Sequence, residues 1–472
     1  MSDSRTRFDL ECMRTRTKSS FSARVREGIW FANSARRAVF LQRWCSALSL
    51  AYVFVAGVPA FALQITTLDR NGSLSWSNAT VPGICTVEIA TAAGGGWASG
   101  INAYSTAATG QVTLALSDSN GFFRIRAVDV SPTPQGFTNF VQSYGRLETV
   151  AGDGFGRTDG VSYWQPQFEG GPARLASLSR PHYAMADRAG NIYIADKDSH
   201  SVLRVATNGT IHTHAGTHGG GFNGDGPAAA TSLQLNFPNA LWVRSDGTVY
   251  VLDTYNGRVR RVATNGIMTT LVDATGGTAI AGGRCLWVRD DEGLLYYGNK
   301  DRIKKWTPAS GLVTLASGFS ELGTFCVEAS GDLVVADRQA NLVYRVTGSS
   351  GARTVIAGNG MTSAGGDGLP ALQTSLYGPR GLWPVPTGGL LLLLHDGAQL
   401  WYLDAAATMH LLVNGIGGNT TTHSGDGQYF YDTGQYKISE GRSVAIDYAG
   451  NIIVCESDYG YIRRINFQRM TP

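Results

Sequence analysis

The chain has 472 residues, of which 43% are apolar, 16% charged and 60 glycine, with a formal charge of +3. That composition excludes an intrinsically disordered chain and fits a turn-rich β protein. The positive charge is concentrated at the start. Residues 1–62 hold ten Lys/Arg and four Asp/Glu, which leaves 29 basic against 32 acidic residues in the rest and no basic excess for nucleic acid to bind.

Taken in chain order, residues 1–62 have the form of an export signal with a long basic segment. Arg36, Arg37 and Arg43 precede the apolar stretch 47–56, and Pro59 and the small-x-small triplet Ala60-Phe61-Ala62 follow it. The stretch is too short for a comfortable membrane span, so cleavage after Ala62 is expected, with an uncleaved anchor as the alternative. Translation from Met13 is a second possible start. The expected location is secreted, periplasmic or at the cell surface, with no stable membrane span after cleavage.

Residues 63–131 alternate apolar and polar residues in four runs: Ser73–Ser77, Cys85–Ile89, Val112–Leu116 and Phe122–Val128. The pattern "GxLxW…VE…GFFRIRAVD" resembles a small fibronectin-III-like or Ig-like β-sandwich. Residues 132–146, which open Pro132-Thr133-Pro134, are read as a linker.

From residue 178 onward one phrase recurs: a turn residue, a short apolar strand, a Gly turn, a second strand ending in a carboxylate, an Arg-rich third strand and a fourth. The clearest copies are PHYAMADRAGNIYIADKDSHSVLRV from Pro181 and PNALWVRSDGTVYVLDTYNGRVRRV from Pro238, with four weaker ones after them. A four-stranded unit cannot bury both faces alone, so its repetition points to radial stacking of sheets.

These copies resemble the NHL repeat, and the resemblance implies an all-β, six-bladed NHL-type β-propeller over 147–472. The chain ends after the third strand of copy six, and Leu147–Gly152 (LETVAG) reads as the missing fourth, closing the ring at its two ends. The resemblance also puts the strand-ending carboxylates Asp196, Asp253, Asp337 and Glu456 on one rim. The interblade loops Gly224-Asp225-Gly226, Gly366-Asp367-Gly368 and Gly425-Asp426-Gly427 share that rim.

Alignment of the copies on the first strand brings His182, Asn239, Arg284, Gly323, Arg380 and Arg442 to the mouth of the central channel. Two readings of these residues stay open. In the structural one, arginines and rim carboxylates pair between blades. In the functional one, a guanidinium cluster holds a carboxylate, sulfate or phosphate through bidentate hydrogen bonds.

Other chemistry is sparse. His212, His214 and His218 have metal-ligand spacing but fall on an outer strand, so no metal site is assigned, and no cofactor motif is present. No nucleophile elbow or zincin motif appears. Basic pairs such as Arg260-Arg261 and Arg463-Arg464 are read as a solvated face. Cys285 and Cys326 sit on neighbouring first strands, where a bridge is conceivable and free buried thiols are expected. Phe222, Tyr377 and Tyr429–Tyr431 decorate the loops, either packing them down or contacting a sugar or peptide. The function expected is a binding or scaffold module for a protein, peptide or carbohydrate; the alternative is a metal-dependent lyase or lactonase at the channel mouth.

Overall fold

The structure, a computed structural model, describes residues 62–92, 96–114, 121–155, 158–280, 282–363, 366–415, 424–431 and 438–468, with the backbone of a short strand, Val39–Gln42. The apolar stretch of the expected export signal lies outside the described residues. No helix among the described residues is long and apolar enough to cross a membrane.

Two antiparallel sheets fill the first part. Gln64–Leu68, Ser73–Ser77 and Gly110–Thr113 form one; Val39–Gln42, Phe122–Asp129, Gly83–Ala90 and Ala98–Ser105, in that spatial order, form the other. Leu74 and Trp76 from the first and Val87 and Ile125 from the second bury into a shared cluster, as alternation along each strand requires. Gln64–Leu68 and Ala98–Ser105 were not visible in the sequence. Both are edge strands, where fewer alternate positions need an apolar residue.

The segment read as a linker contains an α-helix, Pro134–Gln142. The Pro-Thr-Pro sequence that suggested a loop is also a helix start. Pro134 needs no intrahelical partner for its nitrogen, and the Thr133 hydroxyl accepts from the Gly136 N–H at 3.0 Å. The helix docks on the repeat region: Phe140 stacks on Tyr402 at 4.7 Å and Phe137 on His410 at 4.1 Å. Tyr144 is buried beside it, its hydroxyl bonded to that of Tyr104, whose ring stacks on Phe467 at 4.5 Å.

From residue 147 the chain is built of four-stranded antiparallel sheets, one of them extended to five by the short strand Ala228–Ala229, as in a β-propeller. Their first strands are Pro181–Ala186, Pro238–Val243, Leu286–Val288, Leu322–Val327, Pro379–Pro384 and Gly441–Ile446. Each sheet packs through its inner strands on the next, and Gly441–Ile446 packs back on Pro181–Ala186. Side chain to backbone bonds cross these seams, from Ala184 N–H to Ser443 Oγ (3.3 Å) and from Leu382 N–H to Thr324 Oγ1 (2.9 Å). In the last sheet, Gly441–Ile446, Ile452–Glu456 and Tyr461–Ile465 are completed by Leu147–Ala151, so the two ends of the repeat region share one ladder.

Candidate functional site

The strand-ending carboxylates are not rim ligands. Asp196, Asp253, Asp337 and Glu456 are all buried. Each accepts from the backbone of the segment entering its own sheet: Ser179 N–H to Asp196 (2.7 Å), Asn236 to Asp253 (2.8 Å), Ser320 and Glu321 to Asp337 (2.8 and 2.9 Å), and Ser439 to Glu456 (2.9 Å). They clip the interblade loop to the second strand. This removes Asp196, Asp253 and Asp337 from the ligand-binding set and makes them part of the scaffold.

The third-strand arginines also depart from expectation. Arg260 and Arg463 have 0% exposure rather than facing solvent. Arg260 meets Asp253 at 3.3 Å and donates to Gly224 O at 2.9 Å; Arg463 meets Glu456 and Asp426, each at 2.9 Å. The loops Gly224-Asp225-Gly226 and Gly425-Asp426-Gly427 are thus anchored from beneath. Strand alternation explains the outcome, since only one of two adjacent arginines can point inward; Arg261 turns outward to Glu292 at 2.8 Å. In the first sheet the equivalent position is Leu203. Burial without a cation opposite pushes Asp196 up to about 7, against about 6 for Asp253, which burial also raises but Arg260 restrains.

At the channel mouth the structure divides the aligned residues. Arg442 pairs with Asp458 at 2.9 Å, and Arg284 Nη1 lies 2.5 Å from Glu321 Oε1, off the hydrogen-bond axis. Arg338 bridges Glu321 and Asp396 at 3.2 and 2.6 Å. Two of the three arginines are therefore ion-paired, Arg284 with a carboxylate entering the next sheet and Arg442 with one of its own sheet, and in neither case with a strand-ending carboxylate. Arg380 differs: it is 3% exposed, and its side chain forms no hydrogen bond or ion pair with a described residue. Burial, followed by the charges of Arg442, Arg284 and Arg338, holds its pKa well below the ordinary arginine value. Burial, then Arg442 and Arg380, likewise lowers His182 and keeps the ring neutral. His182 Nε2 and Asn239 Oδ1 are buried with no partner among the described residues. At the sixth aligned position, a Cβ on Gly323 would sit 2.7 Å from Arg380 O, so only glycine lets the two strands approach so closely.

Beside these residues lies a group the sequence reading missed. His395, Glu440 and Asp458 each bring a ligand atom within 4.8 Å of the others. His395 Nδ1 is 3.1 Å from Gly441 O, which leaves Nε2 toward Asp458 at 4.0 Å. Burial, then Asp458, pushes Glu440 up to about 7. Burial also opposes ionisation of Asp458, but Arg442 and the bond from Glu440 outweigh it and hold that carboxyl well below the usual range. This trio has the donor set of a divalent-metal site. Its signal in the sequence was the residue just before each first strand and those just after each second strand, positions that vary among copies.

His212, His214 and His218 do not converge. His212 faces Glu169 at 3.0 Å, His218 stacks on Trp164 at 4.7 Å, and His214 packs edge-on to Tyr193. Cys85, Cys285, Cys326 and Cys455 are free and buried, and Cys285 Sγ contacts Phe325 O at 3.3 Å. Of the loop aromatics, Phe430 is buried against Tyr144, while Phe222 lies 4.0 Å beneath the Arg258 guanidinium. At the other end of the first strands, Trp242 and Trp383 stack at 6.1 Å and line a 170 Å³ cavity with Met185 and Tyr448.

The fold and the mouth define an all-β protein of the β-propeller kind, with unpartnered polar groups at one end of its channel. No family model matches the chain, and no curated protein matches it. Among solved structures it is similar to a structural genomics protein of unknown function from Bacteroides thetaiotaomicron, at 12% identity and a TM-score of 0.52, over 87% of this chain and 99% of that one. It is also similar to an auxiliary nutrient binding protein of the same species, at 12% identity and a TM-score of 0.50, over 84% of this chain and 94% of that one. A streptogramin B lyase aligns at 14% identity and a TM-score of 0.41, over 61% of this chain and 93% of its own, too loosely to bear on chemistry. Such likenesses establish fold alone.

Proposed function

We propose that this chain is an exported six-bladed NHL-type β-propeller, preceded by a fibronectin-III-like domain, that works as a ligand-binding module at the mouth of its channel. The observation that carries the reading is the group of orphaned polar atoms there. Buried polar groups are nearly always paired, and most of those in the repeat scaffold are. His182 Nε2 and Asn239 Oδ1 are not, the Arg380 guanidinium forms no hydrogen bond or ion pair with a described residue, and all three residues stand at equivalent first-strand positions. A likeness to a nutrient binding protein agrees with a binding role. Partners of the class fitting such a cup are a peptide, a protein segment or a carbohydrate.

Residues kept for binding cost stability in the empty protein. Asn239→Leu and His182→Phe should therefore leave the unfolding midpoint unchanged or raise it. A loss of more than about 1 kcal/mol in urea unfolding for both would show that the two side chains serve the scaffold.

Export is part of the same proposal. Leu63 is among the first residues of the buried N-terminal cluster, as suits a mature chain that starts there, and cleavage would remove Val39–Gln42 from the sheet edge. N-terminal sequencing of protein recovered outside the cytoplasm should begin at Leu63; a start at Met1 or Met13 would contradict cleavage.

The metal-dependent lyase or lactonase reading rests on His395, Glu440 and Asp458. Stoichiometric, tightly held divalent metal in purified protein, lost in His395→Ala, would favour it over a simple binding module.

A further inference from the structure

We propose that the channel mouth binds a single carboxylate group of a small monoanionic ligand, with Arg380 as its main partner. The inference rests on the mouth being the binding site and names the ligand chemistry.

Its ground is the charge pattern. Every other cation at the mouth has a carboxylate: Arg284 has Glu321, Arg338 has Glu321 and Asp396, and Arg180 and Arg442 share Asp458, each at 2.9 Å. Arg380 has none, and the charges that act on it most strongly are those of Arg442, Arg284 and Arg338, with Asp458 after them. A buried cation in that setting is stabilised by an anion that completes the pairing. Arg180 also meets Asp159 at 2.7 Å, so four of the five guanidiniums can each be given a carboxylate of their own and Arg380 is the one left over. A carboxylate supplies one charge and two coplanar oxygens, which is what a guanidinium fork accepts. A dianion such as sulfate or hydrogen phosphate would bring a second charge beside Glu321, Asp396 and Asp458. Arg442 Nε, buried without a hydrogen-bond partner among the described residues, is a further donor at the same mouth. Neutral His182 adds a polar contact without adding charge.

The probe is acetate, titrated into the full mature chain at pH 7.5 and constant ionic strength, with chloride and sulfate as the other arms. Thermal unfolding should show saturable stabilisation by acetate, little by chloride and less by sulfate than by acetate. Arg380→Gln should weaken acetate at least tenfold, and Arg380→Lys should weaken it nearly as much, because an ammonium lacks the planar fork. Both variants should fold, since each removes or softens an unpaired buried charge; the three-anion comparison needs only the unaltered protein. Equal effects of acetate and chloride, or a stronger effect of sulfate, would overturn the proposal. If acetate fails while Asn239→Leu still holds or raises stability, only the carboxylate inference falls. If Asn239→Leu and His182→Phe also destabilise, the binding reading falls with it.

Discussion

A chain that begins at Gly154 should melt far below the full chain or aggregate, while one that begins at Gly145 should stay much closer to it. The difference between them is Leu147–Ala151, which pairs with Tyr461–Ile465 and closes the last sheet. Its removal bares a ladder edge and uncovers Ile462 and Ile465, both fully buried in the intact chain. It also removes the buried side chains of Leu147, Thr149 and Ala151. Each large apolar side chain returned to water costs about 1.5–3 kcal/mol, and an open edge invites pairing between chains. The sum approaches the net stability of a typical domain, about 5–15 kcal/mol. Both truncated chains lack the helix and the N-terminal sheets, so their comparison isolates the closing strand. Thermal unfolding followed with light scattering reads the result. Equal melting of the two chains would contradict ring closure.

The second large effect concerns the buried ion pair beneath the Gly224-Asp225-Gly226 loop. Asp253→Asn keeps the shape and the bond from the Asn236 N–H but removes the carboxylate facing Arg260, a guanidinium with 0% exposure. Breaking one side of a fully buried pair costs about 3–5 kcal/mol, because the remaining charge stays desolvated. Replacing both partners, as in Asp253→Leu with Arg260→Met, should recover most of that loss. Asp196→Asn supplies the contrast. No arginine faces Asp196, and burial already raises its pKa to about 7, so the neutral amide should cost under about 1.5 kcal/mol. Urea unfolding of the three variants checks the order. If Asp253→Asn and Asp196→Asn cost the same, the arginine contributes nothing through its charge.

The repeat was legible because its punctuation recurs. Gly turns and carboxylate strand ends fall at fixed offsets, and the fourth strand absent after Ile465 could be sought at the other end of the repeats. The inner positions of the mouth were legible for the same reason: His182, Asn239 and Arg380 share one register. What answers them was not legible. Glu321 and Glu440 stand just before a first strand, and His395, Asp396 and Asp458 just after a second, at positions where other copies carry Arg180, Phe237 or Tyr255. No repeat constrains such residues, so only three-dimensional proximity reveals that two arginines are matched and one is not. The side of a strand that an arginine takes was equally hidden in the doublets Arg260-Arg261 and Arg463-Arg464, where composition is identical and only register against the neighbouring strand decides. The helix was missed because its start signal, a capping Thr followed by Pro, is also a loop signal; Phe137, Phe140 and Val141 at helical spacing were the discriminating feature.

The most direct measurement is a crystal structure of the mature chain grown in acetate, compared with one grown in chloride. The expected result is a planar density in the acetate crystals, with two oxygens about 2.7–2.9 Å from the Arg380 guanidinium nitrogens and none of that shape in chloride. An Arg380 side chain folded onto Glu440 or Asp458, with no acetate beside it, would contradict the account.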